Sequence, residues 1–276
     1  MPDFTLHTFH LLLSSLKEQQ YNFQSFKDFL SAPAPRSVIL RHDVDRLPEN
    51  SQVIAEIEKE IGIHGTYYFR AGKEGFDNDA ITQIARMGHE IGYHYEDLSL
   101  AAQGSGLRAQ SKEQMEEELV KIAFESFREN LEKMRGIVPV KTICMHGSPL
   151  SRWDNRLLWK YYDYRDFGIT GEPYFDVDFG EVLYLTDTGR RWDGQGVSVR
   201  DKAEERGRSF SIRLRSTFDI INAARENKLP DRIMLTIHPQ RWDGRPLPWM
   251  RELVWQNLKN TGKWVLNRWK LKGTTE

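Results

Sequence analysis

Apolar residues along the chain fall into short runs with two different spacings. In residues 4–18, Phe4, Leu11, Leu12 and Leu16 share one side, the spacing of an amphipathic helix, and a shorter helix follows at 25–30. Ala32-Pro33-Ala34-Pro35 breaks that helix, because proline offers no N–H to continue it. A regular alternation starts there. Runs rich in β-branched and aromatic residues predict strands at 37–44, 66–69, 90–94, 141–145, 182–186 and 232–238. Helical spacing predicts helices at 48–61, 79–87, 111–135, 153–162, 217–226 and 248–269. Pro48 suits a first helical turn, Gly62 and Gly88 suit helix ends, and Ser111 suits an N-cap. Ala101–Gly106 reads as a small-residue loop. Repeated strand–helix units predict a mostly parallel sheet, either an open α/β layer or a barrel. The expected organisation is an N-terminal helical extension at 1–35 and one catalytic domain at 36–276 that ends in a helix.

The ends of the predicted strands carry the candidate chemistry. Asp43-Val44-Asp45, His94, His146 and His238 each fall at a carboxyl end, the edge at which parallel α/β sheets bind ligands. Asp43 and Asp45 are two apart on an extended segment and so share a face. Two carboxylates that close do not both ionise readily in a dry site. A divalent cation resolves the conflict by binding one and leaving the other as a base. The competing reading has Asp45 cap the helix after Pro48, or Asp43 pair with Arg41 or Arg46. His94 precedes Tyr95-Glu96-Asp97, and imidazole with carboxylate suits zinc or another borderline ion. Its competing reading is a solvated strand end. His89 lies on the opposite face and reads as a structural histidine. His146 sits in the turn Cys144-Met145-His146-Gly147-Ser148-Pro149, as a ligand or a substrate contact. His238, fixed by Pro239, suits general-acid work.

Composition removes other classes. The chain has 276 residues, 39 basic and 40 acidic, for a net charge of −1, which does not favour a nucleic-acid partner. No run approaches the roughly 18 apolar residues of a membrane span. The single cysteine, Cys144, excludes an intrachain disulfide and a cysteine-based metal site, and reads as a buried hydrophobe. The first residues lack a basic n-region and read as an amphipathic helix, so a cytoplasmic location is expected.

Three stretches carry a family resemblance. Ile39-Leu40-Arg41-His42-Asp43-Val44-Asp45, Met87-Gly88-His89-Glu90-Ile91-Gly92-Tyr93-His94 and Leu235-Thr236-Ile237-His238 resemble, in order and broad spacing, the motifs of the polysaccharide deacetylases, the NodB-homology or carbohydrate esterase family 4 group. The resemblance implies a distorted or incomplete (β/α) barrel of about seven parallel strands. It also implies metal-dependent removal of N-acetyl groups from sugars. Carried over, Asp43 is the general base, Asp45 and His94 are metal ligands, and His238 is the general acid. Leu98 stands where the family has a further histidine, so either a third ligand comes from Glu96, Asp97 or His146, or the metal is weakly held or absent. His146 is the first choice and zinc the expected ion. The family's arginine-containing third motif is not recognisable; His146-Gly147-Ser148-Pro149 stands roughly in its place. A carbohydrate substrate calls for aromatic platforms and polar contacts, for which Trp192, Trp242, Arg191 and Glu96 are the candidates. Two alternatives stand beside this reading: a catalytically impaired carbohydrate-binding member of the same fold, and a hydrolase of a non-sugar C–N bond.

Overall fold

At the centre of the sheet lies β2 (Ser37–Val44), eight residues long and buried throughout, as its apolar run predicts for a strand covered on both faces. The computed structural model describes residues 2–72, 74–104, 111–148, 151–192, 210 and 212–272. On one side β2 pairs with β7 (Arg232–Ile237), in a register running from Ser37 opposite Arg232 to His42 opposite Ile237. Two strands share its other side. β1 (Asn22–Gln24) lies along Ser37–Ile39, and β3 (Thr66–Phe69) lies along Arg41–Val44. β4 (Glu90–Tyr95) and β5 (Ile143–Met145) continue beyond β3, and β6 (Leu183–Thr186) lies beyond β7. The order is β5-β4-β3-β2-β7-β6 with β1 beside β2, and every pairing is parallel. Among the described residues no pairing joins β5 to β6. The curled sheet therefore stays open, as an incomplete (β/α) barrel.

Helices cover the sheet. α1 (Leu6–Glu18) is capped by Thr5 and buries Phe9, Leu12, Leu13 and Leu16. α2 (Phe26–Ser31) follows β1. α3 (Pro48–Ile61) begins on Pro48 and ends on Gly62, whose φ of 73° is a left-handed conformation that glycine adopts at little cost. α4 (Asn78–Arg86) is capped by Asp77, and α6 (Lys112–Arg135) by Ser111. A helix at Thr217–Arg225 opens with a Ser216–Asp219 capping box, and a long helix, Pro246–Lys272, ends the described chain. The N-terminal residues Phe4, Phe9, Leu12, Leu13 and Phe26 share one core with the strands.

Several segments depart from the sequence expectation; the helix expected at 153–162, for one, divides into a 3-10 turn at Asn155–Leu157 and a short helix at Leu158–Tyr161. β1 was not expected, because three residues are too few to show a period of two. The small-residue segment at 101–106 is helical up to Gly104, as the end of α5 (Asp97–Gly104), and 105–110 lie outside the described residues. Alanine's small side chain invites a loop assignment, but alanine is the strongest helix former.

Alternation along β2 separates two kinds of chemistry. His42 points to the face carrying α3, where Nε2 lies 2.7 Å from Glu58 Oε1 and the ring stacks on Tyr67 at 4.0 Å. Glu58 also accepts the Tyr67 hydroxyl at 2.9 Å, and His89 accepts the Gly65 N–H at 3.2 Å. His89 is thus a buried structural histidine. Arg41 and Asp43 point to the other face, towards the site. Close packing there depends on Gly92, since a Cβ at this position would lie 2.3 Å from the Tyr68 ring.

Candidate active site

Six strands end in the same way. The first residue beyond β2 is Asp45, beyond β3 Arg70, beyond β4 Glu96, beyond β5 His146, beyond β6 Asp187 and beyond β7 His238. Because all pairings are parallel, these six side chains leave the sheet at one edge. Asp43 and His94 are the penultimate residues of β2 and β4 and stand just below that edge.

Asp45 is the meeting point. Its Oδ1 lies 3.6 Å from His94 Nε2 and 3.5 Å from His146 Nε2. The other ring nitrogen of each histidine faces an acceptor: His94 Nδ1 lies 2.9 Å from the Cys144 carbonyl, and His146 Nδ1 lies 3.0 Å from Glu96 Oε2. An acceptor at Nδ1 places the N–H there and turns the Nε2 lone pair towards Asp45. Asp45 Oδ1 is buried and has no hydrogen-bond partner. Two imidazole lone pairs and a carboxylate oxygen thus converge, an arrangement that needs a cation to be favourable. Donors at about 2.1 Å from a tetrahedral zinc ion stand about 3.4 Å apart, close to the separations here. Asp45, His94 and His146 fit such an ion in number, chemistry and spacing.

The two histidines and Asp45 also perturb one another electrostatically. Burial alone would raise Asp45, but His146, His238, His94 and Arg241 hold it far below the usual carboxylate range. Burial, only partly offset by Asp43 and Asp45, pushes His94 down to about 4, so its ring stays neutral near neutral pH. Burial also works against the charged form of His146, but its hydrogen bond to Glu96 and the field of Asp45 raise it overall.

Asp43 is held from one side. Arg41 donates Nε–H to Oδ1 at 2.8 Å and Nη2–H to Oδ2 at 2.7 Å, a bidentate pair between residues two apart on one strand face. Pairing with Arg41 was the competing reading of this aspartate. Both groups are buried. Burial would raise the Asp43 carboxyl, but Arg41 and His94 lower it, so the group is ionised. Its Oδ2 lies 3.7 Å from His94 Nε2, beside the Asp45 cluster.

His238 completes the edge. Its Nδ1 lies 2.6 Å from Asp187 Oδ1, and its backbone N–H donates to Asp187 Oδ2 at 2.9 Å. Its Nε2 lies 4.0 Å from Asp45 Oδ2. Asp187 is fully buried and also accepts from Arg241 and from the Trp242 indole N–H at 2.8 Å. Burial would raise its carboxyl, but Arg241 and His238 bring it down to about 2.

Of the four sequence candidates for substrate contact, two tryptophans are buried, Glu96 sits at the edge on His146, and Arg191 lines another cavity. Trp242 is 0% exposed, packed between Phe4 and Phe9, and serves Asp187. Trp192 is 2% exposed, stacks on Phe4 and donates its indole N–H to Thr217 Oγ1 at 3.0 Å. Neither offers a free face to a sugar ring, because the N-terminal segment covers both. Glu96 spends its carboxylate on His146 and on Arg70 Nε at 2.7 Å, which makes it a holder of the His146 ring. Arg191 lines a separate surface cavity with Arg190 and Arg215. Asp97, a reserve ligand by sequence, turns away to Tyr93, Ser126 and Asn130, and Leu98 is fully buried. Sequence reasoning missed Asp187 and Arg70. Both follow a predicted strand directly, and the same edge rule that selected His146 and His238 applies to them.

No family model matches the chain, and no curated protein matches it. Solved structures do. A Streptococcus pyogenes deacetylase in complex with acetate aligns at 17% identity over 50% of this chain and 61% of its own, with a TM-score of 0.37. A carbohydrate esterase family 4 pseudoenzyme from Bacillus anthracis aligns at 13% identity over 84% of this chain and 66% of its own, also at 0.37. The chain thus spans less than two thirds of either structure. A Streptococcus mutans family 4 esterase aligns at 9% identity over 90% of both chains, at 0.43. At these scores the likeness carries no weight by itself; what this chain is distantly similar to is carbohydrate esterase family 4, in which active enzymes and a pseudoenzyme both occur.

Proposed function

We propose that this protein is a metal-dependent hydrolase that removes an N-acetyl or related acyl group from an amino sugar or polysaccharide precursor. One observation carries the reading: Asp45 Oδ1 is unpartnered and faced by the Nε2 atoms of His94 and His146. These three residues would hold the ion, and zinc suits two imidazoles and a carboxylate. When bound, it polarises a carbonyl and acidifies a coordinated water.

The other residues have their own work. Asp43, kept ionised by Arg41, accepts a proton from the attacking water as the water oxygen bonds to the acyl carbon. As the C–N bond breaks, His238 passes a proton from Nε2 to the departing amine. Asp187 fixes the Nδ1–H tautomer and steadies the protonated ring before that transfer. The acyl group leaves as a carboxylate and the sugar as an amine. Support for a sugar substrate comes from the three motif stretches. The presence of His146 where three ligands are needed weighs against the impaired alternative, because Leu98 then leaves no gap.

Zinc content of the purified protein, measured together with acetate release from a panel of N-acetylated sugars and small cyclic amides, tests the proposal. About one zinc per chain and turnover of at least one acetylated sugar are expected. Protein that binds no zinc and releases no acetate would overturn it. Turnover of the cyclic amides alone would replace the sugar with another C–N substrate.

A further inference from the structure

The C-terminal helix wears its apolar residues on the outside. Pro246–Lys272 is 27 residues, about 40 Å at the α-helical rise. Leu247, Met250, Val254 and Leu258 recur at steps of three and four and are 74%, 50%, 57% and 62% exposed, with Trp255 beside them at 49%. The opposite face holds the helix to the body. Trp249 donates its indole N–H to the Asp3 carbonyl at 2.8 Å, Glu252 pairs with Arg46 at 2.7 Å, and Gln256 is buried. A surface helix of a globular protein has the reverse polarity. Five large apolar side chains exposed on neighbouring turns mark an interaction surface.

Charge identifies the partner. From Leu253 to Lys272 the sequence carries Lys259, Lys263, Arg268, Lys270 and Lys272, no carboxylate, and the tryptophans Trp255, Trp264 and Trp269. Beside the helix, a cavity of about 400 Å³ is lined by Arg190, Arg191 and Arg215. Asp3 and Asp219 line it too, as acceptors of backbone N–H groups of Phe4, Thr217, Arg215 and Ser216, which leaves the cavity a net excess of one cation. The Arg190 guanidinium sits over the Phe4 and Trp249 rings at 5.0 and 4.9 Å, with a buried Nε that has no partner. Among the described residues no helix is long and apolar enough to cross a membrane. An apolar stripe, tryptophans and a carboxylate-free basic run from 253 to 272 are the properties of a helix that lies in a lipid interface.

We propose that the C-terminal helix docks this protein on an anionic lipid surface, lying in its plane with Leu247, Met250, Val254, Trp255 and Leu258 at the acyl boundary. Arg46, the partner of Glu252, follows Asp45 directly, so docking brings the strand-end cluster close to the lipid. That consequence alone rests on the proposed function of the cluster.

Vesicle flotation of the full chain tests the docking. Vesicles of phosphatidylcholine with about a quarter phosphatidylglycerol should bind at least about tenfold more protein than phosphatidylcholine alone, and salt should remove the difference. Tryptophan emission should shift to shorter wavelength on binding. The double variant V254E/L258E changes two exposed positions, so it should keep the wild-type melting temperature and lose vesicle binding. No binding to the anionic vesicles, or binding untouched by the variant, would overturn the proposal. So would a wild-type dimer that V254E/L258E converts to a monomer, because the stripe would then belong to a second copy. Binding is read without turnover, so its failure and the failure of the hydrolase reading are told apart.

Discussion

Asp187 and His238, the first residues beyond the adjacent strands β6 and β7, stand 2.6 Å apart from carboxylate oxygen to Nδ1. The same carboxylate takes the Trp242 indole N–H and Arg241, so it is a fixed, charged partner for the imidazole. One tautomer and one ring orientation of His238 follow, with Nε2 turned to the Asp45 cluster.

D187N should keep the hydrogen-bonding shape and remove the charge that orders His238. Turnover at saturating substrate is expected to fall roughly 10²- to 10⁴-fold, with little change in zinc content. Steady-state kinetics beside metal analysis decide this. Wild-type turnover in D187N would remove His238 from the chemistry.

Glu96 fixes His146 through Nδ1, and outer partners of ligating histidines govern affinity. E96Q should weaken zinc binding about 10- to 100-fold in a chelator competition, whereas D45A should abolish stoichiometric binding. If E96Q holds zinc as tightly as the wild type, His146 is not a ligand or Glu96 does not orient it.

Arg41 and Asp43 form a buried ion pair, so truncating one partner strands the other. R41M should cost about 3–5 kcal/mol of stability, measured by urea unfolding. R41M/D43N should cost less than R41M alone, because the stranded charge is gone. Equal costs would mean that Arg41 acts through packing against Tyr68 and Tyr174, not through its charge.

Glu172 is buried beside the site, and burial pushes its carboxyl up to about 7 despite N–H donors from Met145 and Tyr174. Between pH 4.5 and 7 the folded chain therefore holds a proton that the unfolded chain has lost. This group's contribution to stability falls as pH rises through that window. E172Q cannot ionise, so its stability relative to wild type should improve by on the order of 3 kcal/mol from the acid to the neutral end. Parallel pH–stability curves for the two proteins would contradict this.

G92A places a methyl group against the Tyr68 ring, across the β3–β4 pairing. Overpacking of this kind should lower stability by about 1–3 kcal/mol. A variant as stable as wild type in thermal unfolding would mean that the ring moves aside freely.

Much of the architecture was legible because it is local. Val38, Ile39 and Leu40 announce a strand whatever surrounds them, and Pro48 and Gly62 bracket a helix by their own backbone preferences. Parallel strands then put their carboxyl ends on one edge, which is why Asp43, Asp45, His94, His146 and His238 could be grouped before any contact was known. Tryptophans 192 and 242 could not be placed that way. Both sit in polar Arg-Trp stretches that look exposed, and only Phe4 and Phe9 from the far end of the chain cover them.

Most of the strands and longer helices, the edge where polar groups gather and the residue types gathered there were legible before any contact, though β1 and α5 were not. Those follow from backbone preference and from a period of two or 3.6, both properties of neighbours in the chain. Tertiary structure decided the partners: Arg41 for Asp43, Glu96 for His146, Asp187 for His238, and burial for Trp242. Except for Arg41 and Asp43, these pairs join different strands or loops, and only pairing register and packing bring such groups within hydrogen-bond range. Even for Arg41 and Asp43, the sequence left a cation and a pairing both open, and the structure holds Asp43 on Arg41 while leaving Asp45 to the histidines.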